Sequence, residues 1–175
     1  MGMAENRRQA LVEAAFQGIA ERGLEGLRLR QVADGAGIDH STLHHYFATK
    51  QELLVAVLEN VTRRFWVTLP AEGAPAARLT HHLTALGRLI SRDPALFVVL
   101  AEFDLRGQRD PEVAAVITRV EAGWREGLTS LWRQGTWTLP PATAAELVIA
   151  VVKGVRLLPD RAETVLTVLA ETLTT

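Results

Sequence analysis

The sequence predicts an all-α fold. Apolar residues recur at helical spacing along its whole length, and prolines and glycines fall where helices begin and end. No run of alternating branched and aromatic residues is bounded by turn pairs, so strand signals are almost absent. This punctuation divides the chain into about nine helices.

Taken in order, Leu11, Ala14, Ala15, Gly18 and Ile19 form one apolar stripe of a first helix, which Gly23 ends. Two short helices follow within Leu29–Tyr46. Thr49-Lys50-Gln51-Glu52 is a capping box that opens a fourth helix through Leu53, Leu54, Val57, Leu58 and Val61 to about Leu69. Residues 70–75 read as a loop. Asp93-Pro94 and Asp110-Pro111 each place a cap before a proline at the first helical position, where its missing N–H costs nothing. The long helix from Asp110 ends near Gly135. Pro140-Pro141 opens the next, which runs to about Leu158 before Pro159, and Asp160-Arg-Ala-Glu163 caps the last.

Composition narrows the function classes. With 48% apolar residues in 175, the chain can bury a sizeable core. The absence of cysteine removes disulfides, thiolate metal sites and cysteine nucleophiles together. The longest apolar run, Leu147 to Val152, is far short of the ~20 residues that span a bilayer. The N-terminus has no signal-like apolar stretch, so a cytoplasmic protein is expected. A net charge of −1 is not that of a generic nucleic-acid binder. Up to Lys50 the cations are matched by acidic residues, so any DNA contact depends on where the cations sit.

The most informative stretch is Leu29 to Tyr46. In a helix-turn-helix two short helices cross steeply, so the residue at the crossing must be small, and Ala33 meets that need. Four residues later the tight turn requires a positive φ, which Gly37 supplies. Leu29, Val32, Ala36, Ile38, Leu43 and Tyr46 occupy the locking positions, and Asp39 is placed to cap the second helix. With Leu43 and Tyr46 inward, that helix exposes His40, Ser41, Thr42, His44 and His45. Short hydroxyl and imidazole side chains reach phosphates or base edges without pushing a helix out of the major groove. Lys50 opens the following helix, where its charge and the free N–H groups suit a phosphate, and Arg28 stands ready for the flanking backbone.

Gly23-Leu24 through Asp39-His-Ser-Thr-Leu-His-His-Tyr-Phe-Ala-Thr-Lys50-Gln-Glu-Leu-Leu54 resembles the N-terminal domain of the TetR family of transcriptional repressors, most distinctively over His45-Tyr-Phe-Ala-Thr-Lys50. The resemblance is strong over residues 5–60; beyond them it rests on helix count and an apolar C-terminal pair. It implies a helix-turn-helix DNA-binding domain at 1–48 and a helical ligand-binding and dimerisation domain at 49–175. It implies a homodimer on a palindromic double-stranded DNA operator, released when a small-molecule effector binds. Ser41, Thr42, His44, His45 and Lys50 fall where members usually touch DNA. Two positions depart from the pattern: Arg28 stands where threonine or serine is usual, and His44 where tyrosine is commonest.

In the body, the helix from Pro141 is apolar almost all round. Leu147, Val148, Val151, Val152 and Val155, with Val165, Leu166 and Leu169 of the last helix, fit either a dimer interface or the centre of a monomeric core; the resemblance favours the dimer. Phe65, Trp66, Leu69, His82, Phe97, Leu100, Phe103 and Trp124 are candidates to line a pocket for a partly hydrophobic effector, with packing as the competing role of each; Glu102 and Asp104 are further polar candidates. Metal chemistry is set aside: His40 and His44 share helical spacing, and His81 and His82 are adjacent, but neither pair has a third ligand. No nucleophile turn or phosphate-binding glycine loop is present, so neither enzyme nor cofactor is expected. The rival from another class is a helical protein–protein module with a vestigial helix-turn-helix; an enzyme built on His82 ranks third.

Overall fold

The computed structural model describes residues 2–66 and 68–174, the side chain of Trp66 excepted; that candidate pocket residue therefore lies outside the described residues. Among these residues the structure is all-α: α1 (Met3–Gly26), α2 (Leu29–Gly35), α3 (His40–Tyr46), α4 (Lys50–Trp66), α5 (Pro75–Arg92), α6 (Pro94–Gly107), α7 (Pro111–Arg133), α8 (Pro141–Val155) and α9 (Ala162–Thr174). The helix starts are set by the chemistry expected of them. Asp93 accepts the Leu96 N–H at 3.2 Å, and Asp110 accepts those of Glu112 and Val113 at 3.1 and 3.4 Å, each just ahead of a proline. Thr49 Oγ1 accepts the Glu52 N–H at 3.1 Å. The Glu52 carboxylate reaches back to the Ala48 N–H at 2.9 Å, one residue earlier than a standard capping box.

Three boundaries differ from expectation. Helix α4 ends at Trp66, and the Thr68 hydroxyl donates to the Phe65 carbonyl at 2.8 Å, satisfying an end group locally; Leu69 thus lies beyond the helix, against Gly127 of α7. Helix α8 ends at Val155 rather than Leu158. Residues Pro159–Arg161 form a 3-10 turn leading into α9, so Asp160 sits inside that turn instead of preceding the helix.

Helices α1–α3 pack around Leu11, Ala15, Ile19, Val32, Ala33 and Leu43, all buried. The first half of α4 closes this group, and Arg64 ties α4 back to α1 through Glu13 at 2.8 Å. In the body α5 lies along α9, α7 packs on α8 and on α6, and α6 rests on α1. Val148, Val152 and Val155 of α8 and Leu166 of α9 point into this core, each at most 4% exposed, so a partner chain has no access to them. Their stripe is the inner face of a helix apolar on both sides.

Helices α5 and α9 approach closely at Gly87. A methyl group there would sit 2.9 Å from Glu163 Cα, a backbone atom that cannot swing away. Gly87→Ala should lower the unfolding free energy by about 1–3 kcal/mol, as overpacked cores do. A urea midpoint unchanged from wild type would show that the two helices are not in contact there.

Candidate DNA-reading face and effector cavity

The α2–α3 pair has the local geometry of a helix-turn-helix. Ala33 is fully buried, and its carbonyl accepts the Ile38 N–H at 2.9 Å across the turn; Gly37 adopts φ 64°. Asp39 caps α3 by accepting the Ser41 N–H at 2.8 Å and also takes the Ser41 hydroxyl. These bonds, the hydroxyl first, hold the Asp39 carboxyl below the usual carboxylate range. Leu43 and Phe47 are buried beneath α3 and Tyr46 is half-buried. His40, Ser41, His44 and His45 are exposed and Thr42 is partly so. The His40 and His44 rings meet edge to face at 5.3 Å, one turn apart.

The two flanking cations both sit on the end of α1. Arg28 Nη1 donates to the Glu25 carbonyl at 2.6 Å and the Leu27 carbonyl at 3.4 Å. Lys50 Nζ donates to the Leu27 carbonyl at 3.2 Å, which occupies one of its three N–H donors. Arg28 supplies no side-chain cap to α2, where a threonine or serine hydroxyl would. It satisfies the carbonyls that α1 leaves open.

The end of α1 is also where the body takes hold. Gly23 breaks the helix at φ 69° and ψ 173°, a conformation essentially confined to glycine. The break turns the Leu24 N–H outward to Glu102 Oε2 of α6, at 3.0 Å. Arg106, one turn along α6, pairs with Glu25 and with Asp110. Glu102 therefore orients the polypeptide at the joint and borders an outer groove between α6 and α8, outside the cavity beside Phe65.

A small cavity lies between α4, α6, α7 and the end of α8. Its free volume is about 20 Å³, enough for a water-sized group and no more. Of the expected pocket residues, Phe65, Leu100, Phe103 and Trp124 line it. Phe97 is buried 6.4 Å from Phe65 by ring centroid, outside the lining, and Leu69 is outside it too. His82 is also excluded. It accepts the Trp124 indole N–H at Nε2, 2.9 Å away, and its Nδ1 lies 2.8 Å from Thr68 Oγ1. Because Thr68 Oγ1 gives its own hydrogen to the Phe65 carbonyl, the imidazole proton belongs on Nδ1 and the ring is neutral. Both nitrogens are committed to protein partners.

The polar wall contains groups not anticipated from the sequence, Thr62, Glu121 and Arg156, alongside Asp104. Arg156 Nη1 donates to Asp104 at 2.9 Å. Lys153 bridges Asp104 at 2.9 Å and Glu121 at 2.6 Å. The one signal for Arg156 was its place as a lone charge between Val155 and Leu157-Leu158. No group of three potential metal ligands occurs among the described residues, and no helix there is long and apolar enough to cross a membrane.

Residues 11–57 match the family model for bacterial regulatory proteins, tetR family. The HTH-type transcriptional regulator BetI of Burkholderia thailandensis is 39% identical over 84 residues, covering 45% of this chain and 43% of that protein. The chain thus spans under half the length of that relative. The BetI of Rhizobium meliloti is 29% identical over 150 residues, 83% of this chain and 72% of its own. Residues 11–57 thus carry the N-terminal module of the TetR family. A transcriptional regulator from Rhodococcus sp. Rha1 superposes with a TM-score of 0.81 at 26% identity, over 95% of both chains. The Bacillus subtilis regulator FadR, solved with stearoyl-CoA, shares the fold at TM-score 0.81 and 17% identity over 95% of this chain and 97% of its own.

Burial pulls the His82 pKa down from 6.5 to about 4, helped by nearby His81 and opposed by the Thr68 hydrogen bond. The folded chain therefore prefers neutral His82, and this stability is fully present above pH ~6.5. It is lost as pH falls from about 6.5 to 4, because the unfolded chain takes the proton first; the shift amounts to roughly 3 kcal/mol. His82→Gln should flatten the decline in melting temperature over that window. An unchanged slope would mean His82 is not buried neutral.

Proposed function

We propose that this chain is a TetR-family transcriptional repressor that binds a palindromic operator as a homodimer and is released by a small-molecule effector. The observation that carries the reading is the face of α3: Ser41, His44 and His45 are exposed while Leu43 and Phe47 lock the helix from below. On this reading residues 1–48 are the reading head and 49–175 the body. His40, Ser41, Thr42, His44 and His45 enter the major groove. Lys50 turns its remaining donors to a phosphate, and Arg28 braces the head at the end of α1 beside it.

One such helix reads too few base pairs for useful specificity, so a second copy is required. Its docking face is the outer side of α8 and α9. Thr143, Leu147, Ala150 and Gly154 recur at i, i+4, i+7 and i+11 along α8, all exposed; Leu158 past the end of α8 and Val168 of α9, at 54%, are exposed as well. A methyl group at Gly154 would meet nothing within 4 Å, so this seam is open to close helix packing. Of the expected interface, Leu147, Val151, Val165 and Leu169 remain available, being exposed or half-buried.

The effector acts at the cavity. Leu58, Thr62 and Phe65 in its wall belong to α4, whose first half is packed into the head. A ligand larger than the present free volume displaces Phe65 and Trp124 and moves α4. It thereby favours a head spacing that no longer fits the operator. Regulators of this fold solved with stearoyl-CoA, from Bacillus subtilis, and with choline, from Saccharomonospora viridis, support a small-molecule effector.

Lys50→Ala should weaken binding to every duplex alike and reduce the salt slope by about 1, whereas Thr42→Ala should change the ranking of operators. Anisotropy titrations at two salt concentrations, on duplexes selected from random DNA by the wild-type chain, read both. Identical titrations for Lys50→Ala and wild type would contradict the docking mode. Ala150→Arg, an exposed position in the protomer, should leave the melting temperature near wild type while converting the dimer to a monomer by light scattering and abolishing tight binding. A dimer that survives it does not use this seam.

A further inference from the structure

Arg156 is an unusual side chain to find against an apolar cavity. Its side chain is 4% exposed, and it lines the space with Phe65, Leu100, Phe103, Ile117 and Trp124. Burying a guanidinium is expensive unless its donors are paired, and a leucine or methionine would fill the same volume at lower cost. Yet the pairing is incomplete. Nη1 bonds Asp104, while Nε is buried and has no acceptor among the described residues. The guanidinium carbon lies 5.9 Å from the Phe65 ring centroid, a contact that satisfies none of the N–H groups. Burial draws the Arg156 pKa down, opposed by Asp104 and Glu121, and the group stays cationic.

The carboxylates on the same wall are in the opposite condition. Asp104 holds both Lys153 and Arg156, and Glu121 holds Lys153 with Arg125 at 4.0 Å. A cationic ligand would find these carboxylates already neutralised by Lys153, Arg156 and Arg125. An acceptor-bearing ligand leaves these ion pairs in place and supplies what Arg156 lacks. The Asp104–Arg156 pair also faces an outer groove between α6 and α8 with Phe97, Val98, Leu105 and Leu157, so the guanidinium stands between solvent and the inner cavity.

Building on the effector reading above, we infer that the effector is an amphiphilic acid: a carboxylate or similar oxyanion bound by Arg156, carrying an apolar tail that enters the space walled by Phe65, Phe103 and Trp124. Arg156 donates to the oxyanion from Nε, and the tail opens the cavity along α4.

The full-length protein is titrated with octanoate, octan-1-ol and octyltrimethylammonium, followed by calorimetry and by the fluorescence of Trp124 in a chain whose Trp66, Trp132 and Trp137 are replaced by Phe. Octanoate should bind about tenfold or more tightly than the other two, the difference a charge-assisted hydrogen bond makes. Arg156→Gln should reduce octanoate binding to the level of the alcohol. Glu121→Gln should leave octanoate affinity equal or higher; this variant and the wild-type ranking keep the test decisive if Arg156→Gln does not fold. Tighter binding of octyltrimethylammonium, lost in Glu121→Gln, would overturn the inference, as would octanoate binding no better than octanol or not at all. Release of operator duplex is measured separately. Octanoate that binds through Arg156 without releasing DNA contradicts the effector reading and leaves the site standing. Release by the ammonium compound alone does the reverse.

Discussion

A helix fixed at both ends cannot respond at one without being felt at the other, and α4 is such a helix. Leu53, Leu54 and Val57 bury its first half against the head, while Leu58, Thr62 and Phe65 wall the cavity with its second. Close-packed interiors transmit displacement because they have few voids to absorb it. The small free volume beside Phe65 is therefore informative: a cavity already large enough for a ligand would let one in without moving anything.

Helix α6 makes the second connection between the same two regions, by different chemistry. One side carries Leu100, Phe103 and Asp104 to the cavity; another sends Glu102 and Arg106 to the end of α1. The joint at Gly23 depends on a backbone conformation that other residues adopt only at a cost of order 1–3 kcal/mol. It is held by one directed hydrogen bond to Leu24. Apolar packing through α4 and a polar latch through α6 give the proposed reading head two constraints of different chemistry, and on that reading a shift in the body changes its orientation as a unit.

The parts legible in the sequence were those encoded by local chemistry. The aspartates before Pro94 and Pro111, the box at Thr49, and the register of Ala33, Gly37 and Asp39 each act within a few residues, and the structure reproduces them. Periodicity named the apolar residues of α8 but not their partition, because a helix apolar all round has two buried-looking faces. Val148 and Val152 face inward and Leu147 and Ala150 outward for reasons set by α7 and α9. His82 attracted attention as a polar group among aromatics, yet Trp124 and Thr68, distant in sequence, use both its nitrogens. Arg156 carries no signature in local spacing because its partners Asp104 and Glu121 come from α6 and α7. Contacts between distant elements leave no mark on local spacing.

Regulation of this kind requires two copies of α3 held at a fixed separation suited to DNA. The chain contains no cysteine, so Ala48→Cys, at an exposed position just past α3, takes a single spin label without further changes. Dipolar distance measurement on the operator complex should give one narrow distance near a turn of DNA, roughly 34–36 Å, and broaden or shift when effector is added. Absence of any dipolar signal in the DNA-bound protein, or a distance that effector leaves unmoved, would contradict the paired-helix arrangement.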